Sequence, residues 1–350
     1  MRTRSTSSFA LASVGAFLLL ALLALLAPPY ATAAGVSLNG SGSTLSKPYQ
    51  EVAIEEFKKL NKGSTINYGG GGSGKGRQDL ADMVVDFAGS DSPYKEADLA
   101  KVKGGEVLYF PILLGPITVS FNIPGVDSLQ LSPGSIAQIF QRDIKKWNDK
   151  AIVADNPGAK LPDLDIVVAH RADGSGTTQN FTEYLNAAAK GLWKLKSGST
   201  VEWPSDTQAG QGNGGVAQIV KSTKGAIGYV DLSDAKASGL KYARIKNLAG
   251  KFVEPTAAAA SAAGDGIDIK GNLLFSALNA KGVKSYPLTC QTWVVVYAKQ
   301  KDHAKGEALK AYLKFLVQDG QKLLGEIDYA PLPKALQERA AKQLDKLKVP

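Results

Sequence analysis

The sequence has few of the residues from which most metal and catalytic sites are built. Cys290 is the only cysteine, so no internal disulfide can form. His170 and His303 are the only histidines, and with one cysteine they do not make a credible zinc cluster. A Ser-His-Asp triad would have to use one of these two histidines. We therefore expect a core stabilised by packing, and a function that needs neither a metal nor another cofactor.

Arginine-rich tracts are also missing. The net charge is +9, but the basic residues are scattered and not interleaved with aromatic ones. Nucleic-acid binding therefore has little support. A modest positive charge favours anionic partners without naming one.

Only the amino terminus holds a long apolar run. Arg2 and Arg4 precede the apolar residues 18–26, and small residues follow at 31–34. This order predicts a cleavable secretory signal peptide over residues 1–34. A permanent anchor is the alternative, because residues 9–27 are just long enough to span a bilayer. Small residues follow the run, however, where a stop-transfer anchor carries basic ones. We expect an exported, soluble protein of about 316 residues, long enough for two domains.

Short β-branched or aromatic runs alternate with helical patterns. Strands are predicted at 65–68, 107–111, 117–122, 166–170, 226–230 and 293–297. Apolar helix faces are predicted at Ile54, Phe57 and Leu60; at Leu80, Met83 and Val84; at Phe181, Tyr184 and Leu185; and at Leu309, Tyr312, Leu313 and Leu316. The alternation indicates an α/β fold with βαβ units. The alanine-rich residues 257–263 are predicted to be a loop or a helix end.

Three glycine-serine segments share one design. Residues 40–44, 69–74 and 174–177 each place small residues before a predicted helix, with the second helix expected from about Arg77. A helix N-terminus offers free N–H groups and partial positive charge, so it can bind an anion. The alternative is that the hydroxyls only cap helices and the glycines only make turns. Three such segments in one chain favour the anion site.

The second segment also fits the spacing of a nucleotide-binding phosphate loop. Gly69, Gly74 and Lys75 stand at the required positions. Position 76 is glycine, however, where a serine or threonine must hold magnesium, and an exported protein lies away from cellular ATP. We interpret Lys75 as a solvated side chain; the alternative is that its charge attracts the anion.

Charged residues beside these segments indicate which anion binds. Arg171 ends a predicted strand and could grip two oxygens of a tetrahedral oxyanion. Asp173 could hold Arg171 in place or merely cap the next helix. His170 neighbours Arg171 but should point to the opposite face and pack.

Asp91 could accept the proton that phosphate keeps at neutral pH. Sulfate has no such proton and would be repelled. The alternative makes Asp91 a turn residue before Pro93. Asp86 is the other candidate acid, in an ordinary solvent-facing strand position.

These motifs resemble those of the periplasmic phosphate-binding protein family of the bacterial phosphate-specific ABC transporter, the PstS family. The most specific motif is residues 171–177, Arg-Ala-Asp-Gly-Ser-Gly-Thr. Supporting stretches lie at 38–44, 85–93, 121–125, 144–147, 225–230 and 328–333. The resemblance covers nearly the whole chain after the signal peptide.

The resemblance implies an α/β, two-lobe periplasmic binding protein fold of type II, with two crossover strands. It suggests lobe I at 35–115 plus 287–350 and lobe II at 116–286, with crossings near 116–121 and 287–294. It also implies that phosphate is enclosed between the lobes without metal. The implied phosphate-binding residues are Thr44, Leu45 through its backbone N–H, Ser73, Asp91, Arg171, Ser175, Gly176 and Thr177, with Asp173 orienting the arginine.

The expected function is therefore a non-enzymatic, monomeric periplasmic receptor that hands inorganic phosphate to inner-membrane ABC permease subunits. Alternatives are a receptor for another tetrahedral oxyanion, a secreted phosphatase, or a structural surface protein. A phosphatase would need a nucleophile with a base, or metals, and neither is visible in the sequence.

Overall fold

The computed structural model describes residues 35–350, which contain a mixed α/β arrangement. Its strands, in chain order, are β1 Val36–Gly42, β2 Ser64–Gly69, β3 Phe87–Ser90, β4 Val107–Phe121, β5 Gln130–Leu131, β6 Val167–Arg171, β7 Gln208–Gly210, β8 Ala226–Asp231, β9 Lys241–Tyr242, β10 Arg244–Lys246, β11 Phe252–Val253 and β12 Thr289–Tyr297. The predicted signal peptide, residues 1–34, lies outside the described residues.

Helices follow most of the strands. They are α1 Lys47–Leu60, α2 Ser73–Ala81, α3 Glu96–Leu99, α4 Pro133–Phe140, α5 Lys150–Asp155, α6 Gly176–Ala188, α7 Gly212–Ser222, α8 Leu232–Ala237, α9 Ala257–Ala263, α10 His303–Val317 and α11 Lys334–Gln343. Short 3₁₀ turns cover Gly271–Leu273, Asp319–Ile327 and Leu344–Lys346. No helix within residues 35–350 combines the length and the apolar composition needed to cross a membrane.

One large sheet organises the chain. Its strand order is β2-β1-β3-β12-β4-β8-β6-β7, with β9 also pairing with β4. Strands β1, β2 and β3 run parallel, and so do β6, β7 and β8. β12 and β4 run antiparallel to each other between these two groups. A smaller sheet has the order β11-β10-β5.

The long strand β4 belongs to both halves of the large sheet. Its residues 107–116 pair with β12, and its residues 117–121 pair with β8. All fifteen of its residues are buried. A strand buried on both faces reads as a continuous apolar run, which is what this segment shows.

The core is one large apolar cluster with a smaller satellite. Aromatic side chains connect several elements within the large cluster: Phe57 of α1 contacts Tyr312 of α10 with ring centroids 5.2 Å apart, and Phe181 of α6 stacks on Tyr229 of β8 at 4.3 Å. The satellite lies under α7, where Val216, Ala217 and Val220 face β6 and β8. The sheet edges that carry the loops are thus supported by packed helices.

Most predicted strands are present in the structure. Two differences stand out. The predicted strands at 107–111 and 117–122 form the single strand β4, in which Pro116 pairs with Thr289, and β12 begins at Thr289, four residues before the predicted start. Predicted apolar helix faces are buried at Phe57, Tyr184 and Leu313.

Four local predictions were wrong. Helix α2 begins at Ser73, four residues before the predicted start, since Gly76 N–H already donates a helical hydrogen bond to the Gly72 carbonyl at 3.1 Å. Met83 and Val84 lie beyond its end. Met83 has a φ of 61°, and Val84 N–H donates a hydrogen bond to the backbone carbonyl of Asp79, which closes the helix. Both side chains are exposed. Leu60, the last residue of α1, is also exposed.

The fourth wrong prediction concerns the alanine-rich segment. Residues 257–263 form the helix α9, not a loop or a helix end. Thr256 caps it by accepting a hydrogen bond from Ala259 N–H at 3.1 Å. The side chains of Ala259, Ala260 and Ala263 are buried, and burial on one face stabilises a short helix that propensity alone leaves marginal.

Candidate functional site

The three glycine-serine segments meet at the carboxyl ends of parallel strands. Ser43 and Thr44 follow β1, Ser73 begins α2 after β2, and residues 175–177 follow β6 and open α6. Asp91 comes directly after β3. In open α/β sheets the loops at these strand ends form the binding crevice.

Glycines allow the N-termini of α2 and α6 to touch. Gly74 N–H donates a hydrogen bond of 2.7 Å to the Gly174 carbonyl. A Cβ at Gly176 would overlap the Ser73 hydroxyl and lie 2.6 Å from the Asp91 Cβ. Gly72 has a φ of 91°, and a Cβ there would overlap the Asp173 carboxylate. The partial positive charges of two helix N-termini therefore converge on one buried point.

Asp91 is the acid at this point, and it is almost completely buried. Its Oδ1 accepts hydrogen bonds from Ser43 Oγ at 2.6 Å and from Thr292 Oγ1 at 2.7 Å. Its Oδ2 accepts from Ser73 Oγ at 3.1 Å, and Asn180 Nδ2 donates to its backbone carbonyl at 2.7 Å. The side chain is therefore held in one orientation and is not the turn residue of the alternative interpretation.

The charge state of Asp91 is set by opposing effects. Burial raises the pKa of the carboxyl group above its ordinary value, while the three hydroxyl donors and the charge of Arg171 act in the opposite direction. Burial prevails, so the carboxylate is poised to share a proton.

Arg171 is the buried base, and four hydrogen bonds fix its guanidinium group. Asp173 accepts two of them: Nε donates to Oδ1 at 2.8 Å, and Nη2 forms an ion pair with Oδ2. Nη1 donates to Thr177 Oγ1 at 3.2 Å and to Asn213 Oδ1 at 2.9 Å. The arginine is thus oriented before any ligand arrives.

Asp173 lies where the sequence predicted it would, against Arg171. Burial alone would raise the pKa of its carboxyl group, but the hydrogen bonds and the charge of Arg171 outweigh burial and lower that pKa. Its Oδ1 also accepts from Gly212 N–H at 3.0 Å. Ser175, not Asp173, caps α6 by accepting from Thr178 N–H at 3.0 Å.

Thr44 and Leu45 complete the group around the crevice. Thr44 Oγ1 accepts a hydrogen bond from Asn213 N–H at 3.3 Å. Leu45 is fully buried, and its carbonyl accepts from Tyr329 Oη at 2.7 Å. The structure therefore brings all eight predicted ligand residues to the loops around one crevice.

Four residues that contact the site were not among the predicted ligand residues: Asn180, Asn213, Thr292 and Ser43, although Ser43 lies within the first predicted glycine-serine segment. Asn213 had a usable signal, because residues 210–215 form a fourth glycine-rich segment between a strand and a helix. Asn213 Nδ2 also donates to the fully buried Asp231 at 2.7 Å, so this amide links the Arg171 guanidinium group to a buried carboxyl group. Thr292 carried no local signal of this kind.

Other candidate residues lie outside the site. His170 packs as predicted: its ring stacks on Trp203 at 4.9 Å, and burial lowers the pKa of its imidazole. Lys75 is more than half exposed and pairs with Asp79 at 2.7 Å. Asp86 is largely shielded rather than solvent-facing, because it pairs with Lys305 at 2.9 Å and accepts a hydrogen bond from Asn39 N–H.

The arrangement is suited to a small oxyanion. It offers hydroxyl groups, two helix N-termini, one oriented guanidinium group and one carboxyl acceptor. Across residues 35–350, no three His, Cys, Asp or Glu side chains are grouped so that they could hold a metal ion.

Comparisons with known proteins give a consistent family. A family model described as the PBP superfamily domain matches residues 28–320. The phosphate-binding protein PstS of Pasteurella multocida is 36% identical over 335 residues, which cover 92% of this chain and 94% of the relative. PstS of Xylella fastidiosa is 35% identical over 303 residues, covering 85% of this chain and 82% of the relative.

Solved structures support the fold. The phosphate-binding protein from Stenotrophomonas maltophilia matches with a TM-score of 0.69 at 19% identity, over 88% of this chain and 93% of its own. The predicted α/β two-lobe binding-protein fold of type II is thereby confirmed. By its sequence matches, the chain belongs to the PBP superfamily and, within it, to the PstS family of phosphate-binding proteins.

Proposed function

We propose that this protein captures inorganic phosphate in the crevice between Asp91 and Arg171 and delivers it to the permease of a phosphate-specific ABC transporter. The observation that carries the proposal is the meeting of two helix N-termini, a buried carboxyl and a buried, pre-oriented guanidinium at one point. The names of the relatives, phosphate-binding protein PstS, support the same ligand.

Each predicted ligand residue has a role in this proposal. Arg171 donates to two phosphate oxygens while Asp173 orients it. Backbone N–H groups of Leu45, Gly176 and Thr177 provide the donors of the helix N-termini. The hydroxyls of Thr44, Ser175 and Thr177 accept hydrogen bonds in the structure, so their own protons are free for the remaining phosphate oxygens. Ser73 donates its proton to Asp91 and keeps a lone pair that can accept from a P–OH group.

Asp91 accounts for selectivity. Phosphate near neutral pH keeps at least one P–OH proton, which Asp91 can accept. Sulfate offers only lone pairs to the same carboxylate and is repelled. The proposal therefore favours phosphate over another tetrahedral oxyanion.

We further propose lobe I as 35–115 plus 287–350, lobe II as 116–286, and crossings near 116–121 and 287–294. The change of partner along β4, from β12 to β8 after Pro116, supports the first boundary. Asp91 and Arg171 then lie on different lobes, so that hinge closure completes the site.

The predicted signal peptide and the family together favour the periplasm as the place of action, with the protein working there as a monomer. A receptor role also fits the serines better than a phosphatase role does. Ser43 and Ser73 donate to Asp91, Ser175 caps a helix, and His170 bonds the Arg171 carbonyl instead of any of them. We expect no release of nitrophenol from p-nitrophenyl phosphate.

Equilibrium dialysis with radiolabelled phosphate tests this proposal through Arg171→Met. We expect the affinity to fall by about 100-fold or more, because a buried charge pair with the ligand is lost. Arg142→Met is the matched control: Arg142 is a largely buried arginine that pairs with Asp206 elsewhere. Equal phosphate affinity in the two variants would remove Arg171 from the site.

A further inference from the structure

The hydrogen bonds of Asp91 use up most of its acceptor capacity. A carboxylate has about four acceptor positions, two on each oxygen. On Oδ1, the hydroxyls of Ser43 and Thr292 occupy both, at 2.6 and 2.7 Å. On Oδ2, the Ser73 hydroxyl occupies one, at 3.1 Å. One acceptor position therefore remains.

The remaining position faces the other half of the crevice. A Cβ added at Gly176 would lie 2.7 Å from Asp91 Oδ2, so this oxygen lies against the first residue of α6. Thr177, next in that helix, contacts Arg171. Asp91 Oδ2, the oxygen with the free acceptor position, therefore lies beside the N-terminus of α6, which supplies oxyanion donors in the proposed site.

Sheet register places Thr292 beside Asp91. Strand β12 pairs antiparallel with β3, with Trp293 opposite Ser90, so the next step in the register sets Thr292 opposite Asp91. The register of β12 with β4 shifts between Thr292 and Trp293, where Ile112 of β4 has no partner, so the sheet is irregular at the same point. Bulges re-aim side chains beside functional sites. The Thr292 side chain is fully buried, with its hydroxyl directed at Asp91.

We propose that Thr292, together with Ser43, is a specificity-determining residue: by filling both acceptor positions of Asp91 Oδ1, it leaves a single position on Oδ2 for one ligand hydroxyl. This inference rests on the proposed function. It assigns the discrimination between protonated and unprotonated ligands to Asp91 together with two hydroxyl groups, one directly after β1 and one on β12.

The physical consequence is a pH dependence. Without the Thr292 donor, the Asp91 carboxylate loses stabilisation of its charged form, so its pKa rises further. A protonated Asp91 donates instead of accepting, which favours an unprotonated oxyanion. The other ionisable groups near Asp91 are Arg171 at the end of β6, Arg77 on α2, Tyr68 on β2 and Cys290 on β12, and none of them is changed by substituting Thr292.

The test is Thr292→Val, which keeps the side-chain shape and removes the hydroxyl. Phosphate affinity and competition by sulfate are measured by titration calorimetry from about pH 4 to 8. In the unmodified protein, phosphate affinity should fall and sulfate should begin to compete below a certain pH. We expect this pH to be about one unit higher in Thr292→Val, because the Asp91 carboxylate loses a hydrogen bond to its charged form. Phosphate's own ionisation is the same in every variant.

Two further variants make the result specific. Thr289→Val removes a buried threonine hydroxyl from the same strand, one that bonds the Tyr286 carbonyl at 2.8 Å and not Asp91, and should keep the original profile. Thr292→Ser retains a hydroxyl and should restore it. Identical profiles for Thr292→Val and Thr289→Val, with phosphate still bound, would overturn this inference but not the phosphate receptor. Absence of phosphate binding by the unmodified protein would instead overturn the proposed function.

Discussion

Asp91 and Arg171 are both buried, and in the proposed site the two together account for a carboxyl group beside a bound anion. Arg171 is held by Asp173, Thr177 and Asn213, so its charge stays in place without a ligand. Asp91 is held by hydroxyls that leave it an acceptor. In this proposal, an anion that carries a proton can donate a hydrogen bond to Asp91 and accept from Arg171, whereas an anion without a proton can only accept from Arg171.

Replacing the acceptor should relax this selectivity. In Asp91→Asn, the amide can donate as well as accept, so sulfate no longer meets only lone pairs. We expect sulfate affinity to rise by about tenfold or more relative to phosphate, measured by competition against labelled phosphate.

Asp86→Asn is the control for Asp91→Asn, since Asp86 pairs with Lys305 outside the crevice. A variant at Asp91 that rejects sulfate as firmly as the unmodified protein would show that selectivity has another source.

Local sequence was sufficient for the residues on glycine segments but not for their partners. Arg171, Asp173 and Ser175 lie within one short motif, so their closeness in space follows from their closeness in sequence. Thr292 reaches Asp91 across 201 positions, and only the pairing of β12 with β3 brings them together. The sequence around a buried threonine in an apolar strand does not show whether its hydroxyl bonds a residue of a ligand site or a backbone carbonyl in the core.

The N-termini of α2 and α6 pack directly against each other. Gly176 follows the capping Ser175, and it is Ser73 and Asp91 from the opposite side that leave no room for a Cβ. Gly74 and Gly174 meet by a backbone hydrogen bond. The glycines are therefore needed for close approach between elements more than for turns within one element.

Adding a methyl group at this junction should oppose closure. In Gly176→Ala, helix α6 can still form, but the new Cβ overlaps Ser73 in the closed arrangement. We expect phosphate affinity to fall by about 10- to 100-fold, with thermal unfolding of the phosphate-free protein little changed.

Gly214→Ala serves as the comparison, because a Cβ at Gly214, in the first turn of α7, meets nothing within 4 Å. Equal phosphate affinity in the two glycine variants would mean that α2 and α6 do not approach this closely when ligand is bound.

Element types were easier to predict than element ends. Periodicity identified α6 and α10, but it extended α2 to Val84, because an apolar pair after the helix continues the pattern by chance. Helix α2 ends because Met83 has left-handed backbone geometry and Val84 N–H donates to the backbone carbonyl of Asp79. The spacing of apolar residues does not reveal either feature.

Across the whole molecule, β4 and β12 join the two groups of parallel strands, and the crevice lies at the strand ends on either side of them. The fold class followed from the alternation of strands and helices. The division into lobes came from the family resemblance, because composition does not change along the chain where a strand crosses from one lobe to the other.

Isothermal titration of the protein without residues 1–34, first with phosphate and then with sulfate, tests the central claim most directly. Bound ligand is removed beforehand by partial unfolding and dialysis. The account predicts tight one-to-one binding of phosphate near neutral pH and no heat from sulfate. Equal binding of both anions would contradict the role given to Asp91, and binding of neither would contradict the phosphate receptor itself.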